Sequence, residues 1–265
     1  MRTALSIAGS DPSGGAGLQA DLQVFANHGI RAGGVLTALT IQDSCRVHKV
    51  LPVFPSVVLD QLRTLLADIT PAVVKIGMLA TDDVARNVQL GLSTLDEAIP
   101  IVIDPVLASS DGTPLLERRA WPVLGELMRR SELATPNLVE AELLTDIQIS
   151  RRADCERAAR VFIEKYGCKG VLIKGGHRAG PPDDLLALSR NHEVQLSWFQ
   201  GSRIDGGPVH GTGCALASSI AAGLARGLAV EESVARARDF VASGIRNAQA
   251  VGSGASFLDW GDRSG

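Results

Sequence analysis

The chain has 265 residues, 45% of them hydrophobic and 21% charged, and its 28 glycines and 12 prolines stay below the share typical of low-complexity chains. That is enough for one large α/β domain over residues 1–265 with a substantial core. A net charge of −3 sets up no field that would gather nucleic acid or anionic lipid, and no apolar stretch suits a membrane span. The four cysteines lack CxxC or zinc spacing, and the apolar start over 4–8 is too short for a signal peptide, so a reducing, cytoplasmic setting is expected.

Short apolar runs alternate with helical patterns from one end to the other, which predicts a parallel sheet covered on both faces. A strand is expected over 4–8, followed by a glycine-rich loop over 9–17 and a helix carrying Leu18, Leu22 and Phe25 that Gly29 ends. A second strand covers 34–41. Pro55 opens a helix in which Leu59, Leu62, Leu66 and Ile69 share a face. Strands over 73–78 and 101–106 flank a helix over 82–95 that Thr81 caps. Helices over 152–167 and 230–250 surround a strand over 171–174, then a turn over 178–183 and the alternating Val194, Leu196 and Trp198 of an antiparallel edge addition.

The loops carry the chemistry. Glycines over 9–17 let the backbone approach a ligand at a helix N-terminus. The stretch over 15–20 also fits the dinucleotide pattern GxGxxA, although six residues separate it from Ala8, and an ordinary turn is a further reading. Asp11 and Asp21 suit a ligand with hydroxyl or amino donors, or serve as helix-start carboxylates. In His210-Gly211-Thr212-Gly213-Cys214, the amides of Gly211, Thr212 and Gly213 are placed to surround a phosphoryl group without any P-loop lysine. Cys214 falls in the first helical turn, where a thiol pKa drops, or packs there as a small hydrophobe. Asp104, Asn137, Glu140 and Lys174 all fall at strand carboxyl ends, where open α/β sheets bind ligands. Asn137 and Glu140 also have the spacing of a helix cap.

Taken in order, AGSDPSGGAGLQADL (8–22), TALTIQ (37–42), KIGML (75–79), DPVL and GTPLL (104–116), TPNLVEAELL (135–144), KGGH (174–177) and HGTGC (210–214) resemble the hydroxymethylpyrimidine/phosphomethylpyrimidine kinases of thiamine synthesis. The resemblance spans about residues 3 to 250 and implies a ribokinase-like α/β/α fold of three layers. Its central sheet would be mostly parallel, with a small antiparallel addition. It also implies a homodimer and successive transfer of the ATP γ-phosphate to an aminopyrimidine alcohol and then to its monophosphate. By the resemblance, Gly9, Asp21, Gln42, Met78 and Val106 line the pyrimidine pocket. Asp104 and Glu140 hold Mg²⁺ directly or through water, Asn137 and Lys174 contact the triphosphate, and Gly211, Thr212 and Gly213 form the anion hole. Cys214 stands where the wider superfamily places an aspartate base.

The chain departs from the family in several places. Gly206-Gly207-Pro208-Val209 replaces a Thr-Lys-Asn-Thr stretch, Asp43 an asparagine, Leu107 a methionine and Ser110 a lysine, and Ser44-Cys45-Arg46 departs from a small, glycine-containing stretch. These differences imply altered substrate preference. Two alternatives stand beside the pyrimidine kinase: a pyridoxal or pyridoxine kinase of the same branch, against which Gln42 argues, and a noncatalytic nucleotide-binding homologue.

Overall fold

The computed structural model describes residues 2–176, 181–191, 193–205 and 207–260. His177 of the KGGH stretch, residues 178–180 of the expected turn and Gly206 of the altered loop lie outside them. The described strands β1 (Thr3–Ser10), β2 (Arg31–Gln42), β3 (Val47–Pro52), β4 (Val73–Ile76), β5 (Ile101–Ile103), β6 (Leu133–Ala134), β7 (Gly170–Ile173), β8 (Asp184–Arg190) and β9 (Glu193–Phe199) form one sheet. Its order is β3-β2-β1-β4-β5-β6-β7-β8-β9. β1, β2, β4, β5, β6 and β7 run parallel, while β3, β8 and β9 are antiparallel additions at the two edges. The expected antiparallel hairpin beside β7 is therefore present. β3, by contrast, has a polar-interrupted sequence that gave no strand signal.

Helices cover both faces. α2 (Pro55–Asp68), α3 (Asp82–Leu92), α4 (Trp121–Arg130), α5 (Leu138–Thr145) and α6 (Arg152–Glu164) pack one face through Val58, Leu62, Val88, Leu124, Ala141 and Phe162. On the other face lie α1 (Gly17–Asn27), α7 (Thr212–Ala225) and α8 (Val230–Arg246), with Val24, Phe25, Ile220, Ala221 and Val234 in the second core. The small residues of α7 let it sink between α1, α8 and the sheet, and nearly every side chain from Ala215 to Ala222 is buried. Two short strands, β10 (Val209–His210) and β11 (Ser256–Phe257), pair beside the start of α7.

Several helices end before their apolar pattern does. α3 stops at Leu92 rather than residue 95, α6 at Glu164 rather than 167 and α8 at Arg246 rather than 250, because apolar residues beyond each end pack onto the core from a turn or loop. Thr81 does cap α3, accepting from the Val84 amide at 3.2 Å. β4 and β5 end at Ile76 and Ile103, so Met78, Asp104 and Val106 sit in the loops just past the carboxyl ends. The chain leaves β1 toward β2 on one side and later returns to β4 on the other. That makes the carboxyl end of β1 a topological switch point, where open α/β sheets bind ligands.

Candidate active site

The two glycine loops close on each other at that switch point. Gly211 caps α7 with φ +77°, a left-handed conformation that disfavours any side chain, and a Cβ there would collide with the Gly15 carbonyl oxygen. Gly15 is in turn hemmed in: a Cβ on it would stand 2.5 Å from the His210 ring and 2.7 Å from Phe257. The phosphate-type helix start and the first loop are thus packed together without intervening side chains. The leading amides of α7 have no partner within the helix.

Asp11 organises the first loop. Its Oδ1 accepts from the amide and hydroxyl of Ser13 at 2.9 and 2.7 Å, and its Oδ2 from the Ala16 amide at 2.9 Å and His210 Nε2 at 2.8 Å. Burial works against its charge, but the His210 and Ser13 hydrogen bonds outweigh it and hold the carboxyl below its ordinary range. Gln42, at the end of β2, places its side-chain amide 3.0 Å from the same His210 nitrogen. Gln42, expected to bind a pyrimidine, thus adjoins His210, which leads into the turn expected to cradle a phosphoryl group.

Gly9, Met78 and Val106 collect near Ala38 of β2. A Cβ on Gly9 would lie 2.8 Å from Met78 Sδ, and Val106 packs with Met78 against Ala38, Val47, Ala80 and Leu115. Asp21 departs from expectation. It is wholly buried, and its two oxygens accept from Ser6 (2.6 Å), Lys75 (2.9 and 2.8 Å) and Ser218 (2.7 Å), which leaves it no surface with which to line a pocket. Its position one helical turn inside α1 points it into the sheet, where a buried carboxylate must be fully partnered. Burial opposes the charge of Lys75, yet Asp21, Cys214 and Asp104 hold its pKa above the ordinary value.

Cys214 corrects a second expectation. Its thiol pKa is raised, not lowered: burial dominates and the carboxylates of Asp21 and Asp104 add to it, while Lys75 and a hydrogen bond from the Gly17 amide oppose the rise. The partial charge of one helix start does not offset burial over two carboxylates.

On the other side of α7's first turn, Lys174 Nζ donates to Asp104 Oδ1 at 2.7 Å, and Thr135 Oγ1 donates to the same atom at 3.0 Å. A Cβ on Gly213 would stand 3.3 Å from Lys174 Nζ and 3.7 Å from Asp104 Oδ2, so the helix start, the lysine and the aspartate face one another. Asn137 and Glu140 form a reciprocal cap at the start of α5: Glu140 Oε2 accepts from the Asn137 amide at 2.8 Å, and Asn137 Oδ1 from the Glu140 amide at 2.9 Å. The cap thus explains this pair's spacing. Glu140 Oε1 also accepts from the Leu107 amide at 3.3 Å. Burial pushes Glu140 up to about 7, with Lys174 opposing and Asp104 adding to the rise.

This donor set fits a magnesium ion. Asp104 keeps Oδ2 toward Gly213, while both Glu140 oxygens are engaged by amides and suit contact through water. Among the described residues no group of three or more His, Cys, Asp and Glu stands close enough to hold a metal unaided, so the remaining ligands would be water and phosphate.

Sequence reasoning passed over Lys75, Ser6, Ser218 and Thr135, and assigned His210 no role. Lys75 was detectable, since a lysine inside an apolar strand run must be buried with a counter-charge. Phe257 had no local signal, because it reaches His210 only through the fold, edge-on at 5.9 Å between ring centres.

The phosphomethylpyrimidine kinase family model matches residues 11–259. The hydroxymethylpyrimidine/phosphomethylpyrimidine kinase of Staphylococcus aureus (strain MSSA476) is 35% identical over 254 residues, covering 96% of this chain and 91% of the relative. The thiamine biosynthesis bifunctional protein ThiED of Geobacter sulfurreducens is 39% identical over 252 residues, 94% of this chain and 50% of that protein. Among solved structures, the phosphomethylpyrimidine kinase of Clostridium difficile 630 superposes with a TM-score of 0.79 at 32% identity, covering 92% of this chain and 100% of the other. The pyridoxal kinase of Staphylococcus aureus in complex with AMP-PCP and pyridoxal gives 0.85 at 29% identity, covering 98% and 93%.

Proposed function

The chain belongs to the phosphomethylpyrimidine kinase family, and we propose that the cleft between the 9–17 loop and the start of α7 is where it works. It is a ribokinase-like kinase of thiamine biosynthesis that phosphorylates 4-amino-5-hydroxymethyl-2-methylpyrimidine and its monophosphate. ATP is the phosphoryl donor, as its family and the AMP-PCP-bound relative support. The observation that carries the site assignment is the 3.0 Å approach of Gln42 to His210, the residue that opens the Gly211, Thr212 and Gly213 turn.

The pyrimidine ring lies between Gly9, Met78 and Val106, with the Gln42 amide offering it one donor and one acceptor. Amides of Gly211, Thr212 and Gly213 receive the migrating phosphoryl group, and Lys174 neutralises its charge from Asp104's side. Asn137, beside Lys174 across a strand-like bridge, contacts the triphosphate. Asp104 and Glu140 would hold Mg²⁺, which when bound screens the negative charge of the β- and γ-phosphates. Cys214 receives the substrate hydroxyl proton. It does so as the thiolate, the minor form because burial raises its pKa even with Lys75 and the Gly17 amide opposing, so the anion hole contributes the larger share of the rate.

Asp21 supports this floor rather than the ring itself. We further propose that residues 1–265 act as one domain in the cytoplasm. No helix of the described chain is long and apolar enough to cross a membrane. A homodimer is supported by Leu39, Ile41 and Leu51, which are 47, 52 and 38% exposed on one face of the β2–β3 edge.

A second reading, a pyridoxal kinase, has the close superposition on the Staphylococcus aureus enzyme in its favour. A substrate panel separates the two. With ATP and Mg²⁺ the protein is expected to convert the pyrimidine alcohol and its monophosphate in preference to pyridoxal; conversion of pyridoxal alone would reverse the assignment.

A further inference from the structure

His210 Nε2 is contested by two neighbours, Asp11 Oδ2 at 2.8 Å and the Gln42 side-chain amide at 3.0 Å. Asp11 already accepts three other hydrogen bonds, from Ser13 and Ala16, and is held ionised, so it can only accept. Nε2 therefore carries a proton, in both the neutral ring and the imidazolium, and that single proton is shared between Asp11 and the Gln42 amide. With that nitrogen a donor, the amide atom beside it must be an acceptor, the carbonyl oxygen of Gln42. The other end of the amide stands 3.3 Å from Thr40 Oγ1, whose own proton goes to the Ser10 carbonyl at 2.8 Å. Thr40 thus offers lone pairs and needs the amide NH₂. If Gln42 Nε2 faced His210 and Oε1 faced Thr40, donor would meet donor and acceptor would meet acceptor; the reverse orientation satisfies both ends.

We propose that His210, anchored by Asp11, is a positioning residue that locks the Gln42 amide with its carbonyl toward the imidazole and its NH₂ toward Thr40. A carbonyl has a second lone pair and an NH₂ a second proton, so the locked amide keeps one acceptor and one donor in fixed order. That order matches a ring nitrogen beside an exocyclic amine, the pattern a glutamine amide reads in adenine, and pyridoxal lacks it. The ring of His210 is itself fixed between Gly15 and the edge-on Phe257, so the lock is rigid. This inference rests on the pyrimidine reading of the Gln42 pocket.

Two measurements test it. A long-range ¹H–¹⁵N correlation spectrum of the wild-type imidazoles, with His210 assigned by its loss in His210→Gln, is expected to show a proton on Nε2; a bare Nε2 would overturn the lock whatever the enzyme phosphorylates. In kinetics, His210→Phe is expected to raise the KM for the aminopyrimidine alcohol about tenfold, the size of one hydrogen bond to an ordered partner. The kcat should change less, and the preference over pyridoxal should fall by the same factor. His210→Gln, which keeps a donor, is expected to restore most of both. Equal losses on both substrates, carried in kcat, would make His210 merely structural and contradict the proposal. Absence of pyrimidine turnover by the wild-type enzyme would instead sink the functional reading, with the spectrum still deciding the lock.

Discussion

Lys75 Nζ lies 2.9 and 2.8 Å from the two oxygens of Asp21, and neither side chain has any exposure to solvent. The pair joins β4 to α1 under Cys214, and Ser6 and Ser218 fill the remaining positions around the carboxylate. Removing one member leaves the other charged and buried. Lys75→Met is therefore expected to lower unfolding free energy by about 3–5 kcal/mol in urea titration, the cost of breaking a buried pair from one side. A smaller loss for the double variant Lys75→Met with Asp21→Leu would show that the penalty belongs to the stranded charge.

Gly211→Ala tests the junction of the two glycine loops. The substitution forces a side chain into left-handed backbone and against the Gly15 carbonyl. The strained conformation alone costs of order 1–3 kcal/mol. Phosphoryl transfer should fall by at least about a hundredfold, the effect of losing one oriented donor, while the circular dichroism spectrum stays native.

Asp104→Asn should cost catalysis more than stability. The variant keeps an acceptor for Thr135 but weakens the pull on Lys174 and removes the charge facing Gly213. We expect a fall in kcat of about 10²- to 10³-fold and a higher Mg²⁺ requirement, measured by titrating the metal at saturating ATP.

Acid stability reports on Asp11. Its folded pKa lies below the ordinary 3.8, so its contribution is fully present above that pH and is lost as pH falls through the folded value. The stability gap between wild type and Asp11→Asn should hold constant near neutrality and narrow below about pH 4 in chemical denaturation at stepped pH. A gap that widens on acidification would contradict the sign.

The proposed homodimer would bury the exposed apolar face at Leu39, Ile41 and Leu51 between its copies. If the protein dimerises through this face, sedimentation equilibrium should show a dimer that Ile41→Glu converts to monomer; a wild-type monomer would reject the assembly. The substitution lies on the exposed side of β2, so the fold itself should survive.

Much of the architecture was legible because its strands are apolar on successive residues and glycine loops punctuate them. Thr81 capped its helix as the sequence implied, and Gly9 lies against Met78. Asp21 was misread because sequence spacing locates a residue at a loop but not its depth, and the Cys214 thiol because its desolvation and the nearby carboxylates of Asp21 and Asp104 come from the fold. The Asp11, His210 and Gln42 contacts link segments roughly 170 to 200 positions apart, so no local pattern encodes them.

In the proposed mechanism one cleft brings the Gln42 pocket and the Gly211, Thr212 and Gly213 amides to a single reacting centre. A crystal structure with AMP-PCP, Mg²⁺ and the pyrimidine alcohol measures this directly. The ring is expected against Gln42 and Met78, its hydroxymethyl oxygen toward Cys214, and the terminal phosphate on the α7 amides. A ring or terminal phosphate bound outside that cleft would contradict it.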